Sequence, residues 1–211
     1  MFYRPQDGHG LPHNPFASLA APRPIGWISS LAPDGTVNLA PYSFFNAVSY
    51  SPPQVMFSGG PGMLRDPALP RKDSVANIEA TGEFVHNLAT WELREAMNKT
   101  AIESPPDHDE FEYAGLTMAP SELVKPPRVA ESPVQFECKY TQSVTLKGLP
   151  GAEPNIIILG EVIGIHIDER VLSDGMVDPA KLKAIARLGY WDYTVVEDHF
   201  TMQRPRWPDD A

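Results

Sequence analysis

The sequence predicts an α+β fold in which strands predominate, a β barrel with helices at its periphery. Three observations carry that prediction. Short apolar runs separated by turn residues fill most of the 211-residue chain, as many short antiparallel strands require. The 23 prolines fall in several places, among them Pro22 and Pro24, Pro52 and Pro53, and Pro126 and Pro127, and punctuate the chain as loops around strands do. Only three segments carry the end signals of helices.

Along the chain, "IGWISSL" (Ile25 to Leu31) and "TVNLA" are joined by "APDG", whose Pro33, Asp34 and Gly35 predict a hairpin turn and an antiparallel pair. "QVMFS" between Pro53 and the glycines at 59 and 60, and "EFVHNL" (Glu83 to Leu88) after Gly82, read as further strands. In "VQFECKYTQSVTL", Val134, Phe136, Cys138 and Tyr140 alternate with Gln135, Glu137 and Lys139, which predicts a strand with one face buried. "NIIILGEVIGIHI" (Asn155 to Ile167) is apolar on both faces, the pattern of a central strand or of one that also forms an interface. "HFTMQ" after Asp198 offers a last strand. Asp73 is placed to cap a helix from Ser74 to Ala80 ending at Gly82, Trp91 to Thr100 has the composition of a second helix, and Asp178 with Pro179 opens a third. Residues 104–133 are the least patterned and read as an excursion over the barrel. Neither a repeat nor a dividing linker appears, so 1–211 reads as one domain, with an N-terminal arm over about 1–20 and a C-terminal tail over about 203–211.

Apolar residues make up 42% and charged residues 21%, ordinary globular usage that argues against disorder and against a membrane protein. A formal net charge of -10 without a run of lysine or arginine argues against nucleic acid as a partner. The opening "MFYRPQDGHGLPHNP" has no signal-peptide pattern, and no stretch approaches the roughly 20 apolar residues that span a bilayer, so the cytoplasm is expected. The single cysteine, Cys138, sits in the alternating pattern of a buried thiol.

No metal is expected, because His9, His13, His86, His108, His166 and His199 have no ligand spacing on a regular element. No G-x-S-x-G elbow anchors a hydrolase triad, and "SGGPGM" (Ser58 to Met63) is followed by no G-K-S or G-K-T, so it reads as a loop. "PRKDSVANI" is different: Arg71 and Lys72 precede a helix whose first turn carries Ser74 and Asn77. Two cations, free backbone N–H groups and a hydroxyl can converge there on a phosphate, while Asp73 opposes an anion unless its oxygens cap the helix. A seat for phosphate and an ordinary solvated helix start both fit that pattern.

The run "NPFASLAAPRPIGWISSLAPDGTVNLAPYSFFNAVSYSPPQVMFS", then "RKDSVANIEATGEFVHNLA", "LGEVIGIHID" and "ARLGYWDY", resembles the flavin reductase-like family of FMN-binding split barrels over roughly Asn14 to Tyr193. The resemblance implies a Greek-key split barrel that pairs as a homodimer and holds FMN near the subunit boundary. By matching motif, Ser29, Ser30 and the segment Asn38 to Asn46 would face the flavin, with Ser43, Phe44 and Asn46 as direct contacts. Lys72 and Ser74, where the family has lysine-aspartate-threonine, would hold the phosphate with Arg71 and Asn77, and Arg187 matches a family arginine near the flavin. "YSFFN" supplies both apolar surface and amide groups for a planar ring with a polar edge. No catalytic acid–base residue is required, because hydride transfer from NADH or NADPH is the cofactor's own chemistry.

Three functions stay open on sequence: an FMN-dependent oxidoreductase passing electrons from NADH or NADPH to free flavin, a partner or a small substrate; an FMN-binding electron carrier; and a barrel for another planar ligand. Among the aromatics, alternation places Phe45 in the core and Phe44 toward the ligand, and Trp27 and His166 read as core or interface residues.

Overall fold

The computed structural model describes residues 1–60, 71–105, 107–148, 153–205 and 207. The end of the "SGGPGM" loop (61–63) and most of the C-terminal tail (206 and 208–211) lie outside the described residues. A single turn, α1 (Phe16–Leu19), leads to β1 (Arg23–Pro24) and β2 (Gly26–Leu31). The predicted hairpin joins β2 to β3 (Val37–Tyr42): Gly35 takes φ +92°, and Ala32 N–H bonds the Thr36 carbonyl at 2.8 Å. β4 (Phe45–Tyr50) and β5 (Pro53–Gly59) form the next antiparallel pair.

α2 (Asp73–Thr81) ends at Gly82, whose left-handed backbone (φ 76°) lets its N–H reach the Ile78 carbonyl at 2.8 Å. Asp73 does not cap it. Lys72 holds the N-cap position in extended conformation, and its side chain supplies no capping oxygen. After β6 (Glu83–Leu88), the predicted helix over 91–100 is only α3 (Arg94–Lys99), because Thr90 is bridged to Ala184 and the Trp91 N–H is taken by the Lys183 carbonyl. The excursion contains α4 (Glu110–Ala114), capped by Asp109, and the short pair β7 (Met118–Ala119) and β8 (Arg128–Val129).

β9 (Val134–Thr145) and β10 (Ile156–Ile167) make the longest pair. β11 (Leu172–Ser173) and β12 (Met176–Val177) form a small hairpin, and α5 (Pro179–Leu182) is capped by Asp178 as predicted, its carboxylate accepting from the Ala180 N–H at 3.0 Å. β13 (Ile185–Gly189) and β14 (Asp192–Val195) close the regular structure. "HFTMQ" is not a strand; Phe200 and Met202 are exposed, so no apolar face is there for them to pack on.

Seven antiparallel strands run in the order β3-β2-β6-β9-β10-β5-β4. One core cluster draws Ile28, Tyr42, Phe45, Phe57, Phe84, Cys138 and Ile158 from all seven, with Val75 and Ile78 of α2. A sheet whose strands all touch one core has curled around it, and its end strands β3 and β4 are not paired, which makes the barrel split. Close approach is built in at Gly160, where a Cβ would run into the Phe84 ring. A second cluster on the outer face joins Trp27, Leu39, Met97, Phe111, Val129 and Ile185 beneath α3, α4 and the excursion.

That outer layer corrects the reading of β9. Of its polar face, Lys139 is exposed as expected, but Gln135 and Glu137 are buried, because the excursion lies over them. The Glu137 carboxylate accepts from the Glu122 N–H at 2.8 Å and the Val124 N–H at 3.2 Å, and meets His166 Nε2 at 2.6 Å. Burial pushes its carboxyl up, but those N–H groups and His166 outweigh burial and hold it below the ordinary value. On β10, Ile165 is 54% exposed and Ile167 45% exposed. No helix among the described residues is long and apolar enough to cross a membrane.

Candidate functional site

Ser30 and Asn38 are direct partners across the β2–β3 pair, and β3 alternation puts Tyr42 on the same side as Asn38. α2 lies over them with Ser74 and Asn77, three residues apart and so on one helix face. All five side chains are buried. Asn38 Nδ2 donates to Ser74 Oγ at 2.8 Å, and Asn77 Nδ2 reaches Ser30 Oγ at 3.4 Å. The hydroxyl of Tyr42 lies beside Ser74, yet makes no hydrogen bond among the described residues. Burial drives its acidity well down; the Ser74 hydroxyl beside it opposes that effect, and the Asp73 and Glu110 carboxylates add to it.

This cluster sits at the first turn of α2. In α4 and α5 the N-cap aspartate accepts the first-turn N–H groups; the N-cap of α2 is Lys72, whose side chain has no oxygen to offer them. Lys72 stands there half-buried. Asp73 is beside it, its carboxyl raised by burial. Arg71 does not join the cluster: its guanidinium pairs with Glu79, whose other oxygen accepts from Ser143 Oγ at 2.7 Å.

Ser43 and Phe44 form the bend between β3 and β4, fixed by the Ser58 N–H on the Phe44 carbonyl at 2.8 Å. Phe45 turns into the core and stacks on His86, with centroids 4.3 Å apart, while Phe44 is 39% exposed under the Arg23 guanidinium at 5.6 Å. Asn46 is exposed. Ser29, one residue from Ser30, points to the opposite face and donates to the Pro127 carbonyl at 2.5 Å, so its hydroxyl serves the excursion. Arg187 lies in the separate three-stranded sheet β1-β13-β14, opposite Arg23, with its guanidinium 4.5 Å from the Tyr193 ring.

Sequence reasoning took Tyr42 only as part of the segment Asn38 to Asn46, without singling it out, and missed Glu110. Tyr42 was within reach, since a period of two from Asn38 through Ala40 leads to it. Glu110 gave no local signal; its buried carboxylate, raised by desolvation, accepts from the Leu39 N–H at 3.0 Å on the unpaired edge of β3. Among the described residues no cluster of three or more His, Cys, Asp or Glu side chains could hold a metal ion.

Residues 18–194 match the family described as "Flavin reductase like domain". The chain is 41% identical to an uncharacterized protein of Aquifex aeolicus over 81% of its own length and 83% of that protein's. Its fold is similar to that of nitrilotriacetate monooxygenase component B from Bacillus cereus, with a TM-score of 0.85, 29% identity, and coverage of 96% and 98% of the two chains. It also shares its fold with flavoredoxin of Desulfovibrio vulgaris, with a TM-score of 0.73 at 21% identity and coverage of 92% and 96%.

Proposed function

The chain belongs to the flavin reductase-like domain family, and from that premise we propose that it is an FMN-dependent oxidoreductase that takes hydride from NADH or NADPH and passes electrons to an acceptor. The observation that carries the reading is the α2 cluster. Phosphate would rest on the first turn of α2, whose N-cap residue Lys72 offers no capping oxygen, held by Lys72 and the Ser74 hydroxyl, with Ser30, Asn38 and Asn77 setting the Ser74 side chain and the helix in place. The Tyr42 hydroxyl, without a partner among the described residues, fits such a site, because a buried donor without an acceptor costs free energy until something accepts from it. The flavin ring would run along Ser43, Phe44 and Asn46, where an exposed aromatic face and an amide lie together. Bound FMN supplies the redox chemistry; these residues supply position and electrostatics, and none need act as an acid or base.

The exposed isoleucines of β10 suit a second copy of the chain, so a homodimer in the cytoplasm completes the reading, with a small molecule or an electron-accepting partner as the other participant. Sedimentation of the purified protein checks the dimer. For the chemistry, the visible spectrum is recorded and NADH or NADPH is added without air. A yellow protein that bleaches supports the oxidoreductase, one that stays oxidised until dithionite is added is an electron carrier, and a colourless protein that takes up no FMN sinks both. The double variant Lys72→Ala, Ser74→Ala is expected to weaken FMN binding by up to several kcal/mol, at about 1.5–3 kcal/mol for each charge-assisted bond. Unchanged affinity refutes the phosphate placement.

A further inference from the structure

Between α3 and the β13–β14 hairpin lies a cleft of about 590 Å³. Trp91, Arg94 and Met97 stand on one side of it, Arg187 and Tyr193 on the other, and Trp191 at the hairpin tip. Arg187 and Tyr193 are direct cross-strand partners, as are Ile185 and Val195 farther in, so alternate residues of both strands face the same space. The volume is that of a site for a small organic molecule, about 300–1,000 Å³.

Its chemistry is specific. The Arg94 guanidinium lies 3.9 Å from the Trp91 ring, and that of Arg187 lies 4.5 Å from Tyr193. Each cation is pinned: Arg94 donates to the Trp91 carbonyl at 2.7 Å, and Arg187 to Tyr193 Oη at 2.5 Å and to the Tyr190 carbonyl. With five N–H donors apiece, both guanidiniums keep donors to spare. Glu95 also lines the cleft, 3.6 Å from Arg94 Nε, but is 79% exposed, so water screens it. Two fixed cations set among large, partly exposed aromatic faces match a ligand with a flat π surface and a negative group. A neutral aromatic leaves the cations unused, an aliphatic acid leaves the ring faces wet, and a cation is repelled.

We propose that this cleft binds a planar aromatic carboxylate, at a site separate from the anion seat on α2. None of Ser30, Asn38, Ser74 and Asn77 lines it, and it lies over the second core cluster, with Met97 and Ile185 at its base, whereas α2 packs on the first. Arg187, which the family resemblance would put beside the flavin, has its task here instead. The inference does not depend on the flavin reading.

The test is calorimetry on the full chain with naphthoate as probe, first alone and then after saturation with FMN, with naphthylmethanol and acetate as controls. Naphthoate is expected to bind with or without FMN, and both controls at least about tenfold more weakly, the loss of one charge-assisted bond or one stacked face. Arg94→Gln, at a half-buried position, and Trp91→Ala, at an exposed one, are each expected to weaken naphthoate about tenfold or more with an unchanged circular dichroism spectrum, while Lys72→Ala, Ser74→Ala leaves it bound. Equal binding of naphthylmethanol overturns the proposal. So does displacement by FMN, or a loss of binding in the Lys72, Ser74 variant that Arg94→Gln does not share, since the probe then sits in the α2 seat. Conversion of a dimer to a monomer by Trp91→Ala or Arg94→Gln would make the cleft a contact between copies and would equally refute it.

Discussion

Ser29 and Ser30 are neighbours on β2 and both are completely buried, but they face two regions that treat polar groups differently. On the outer face, under the excursion, most such groups are paired, His108 Nε2 being the exception among the described residues: Ser29 donates to the Pro127 carbonyl, Asn87 Oδ1 accepts from the Val129 N–H at 2.8 Å, Gln135 Nε2 donates to the Val129 carbonyl at 3.1 Å, and Glu137 takes several N–H groups at once. On the inner side the Tyr42 hydroxyl and His86 Nδ1 have no partner among the described residues, and the Asn77 to Ser30 contact is long at 3.4 Å. Native proteins pair nearly all buried polar atoms. Paired groups under the excursion therefore hold structure, and the Tyr42 hydroxyl beside α2, without a partner among the described residues, accords with the anion seat proposed there.

The contrast is sharpest at Glu137. Glu137→Ala leaves the N–H groups of Glu122, Leu123 and Val124 and the His166 ring without their acceptor, at an expected cost of about 3–5 kcal/mol in urea unfolding. Proteolysis should then cut residues 120–125 first, because that segment is fastened mainly by this carboxylate and by Glu83 on the Lys125 N–H. A loss under 1 kcal/mol by the same measurement would mean that the excursion is held by its apolar contacts alone.

On the inner side, burial lowers His86 from 6.5 to about 3. Below pH 6.5 the unfolded chain therefore takes up a proton that the folded chain refuses, so stability falls as pH drops from 6.5 toward 3. About 2 kcal/mol should disappear between pH 7.5 and 5. His86→Phe keeps a ring against Phe45 and removes this contribution, leaving those of Glu137, Asp73 and Glu110 common to both proteins. Equal pH slopes for the two would show that His86 finds a proton partner in solution.

The same division explains what could be read from the sequence. Features set by a few adjacent residues were legible: the turn at Gly35, the extent of β6, Asp178 capping α5, and Phe45 rather than Phe44 entering the core. Asp73 was misread because the choice between cap and first helical residue rests on the backbone of Lys72, which composition does not encode. The polar face of β9 was assigned to solvent because its cover comes from residues 107–133, and an alternating pattern says nothing about what folds over it. Arg187 fits the family motif, yet its surroundings are made by the β14 strand and by α3, which local spacing could not bring together.

The smallest expected effects come from deleting one hydroxyl on each side. Ser29→Ala strands the Pro127 carbonyl in a partly buried place and should cost about 1 kcal/mol, toward the low end of the penalty for an acceptor left unpaired. Tyr42→Phe removes an oxygen that has no partner among the described residues and keeps the ring against Phe57, with centroids 4.7 Å apart. Its stability without ligand should stay within about 0.5 kcal/mol of the parent or rise slightly, since an unpaired buried hydroxyl is itself a cost. Unfolding curves in urea on the two single variants, both recorded without added flavin, decide the matter. If Tyr42→Phe loses as much as Ser29→Ala, the Tyr42 hydroxyl is already bonded in the free protein, and the α2 side is as fully paired as the side beneath the excursion.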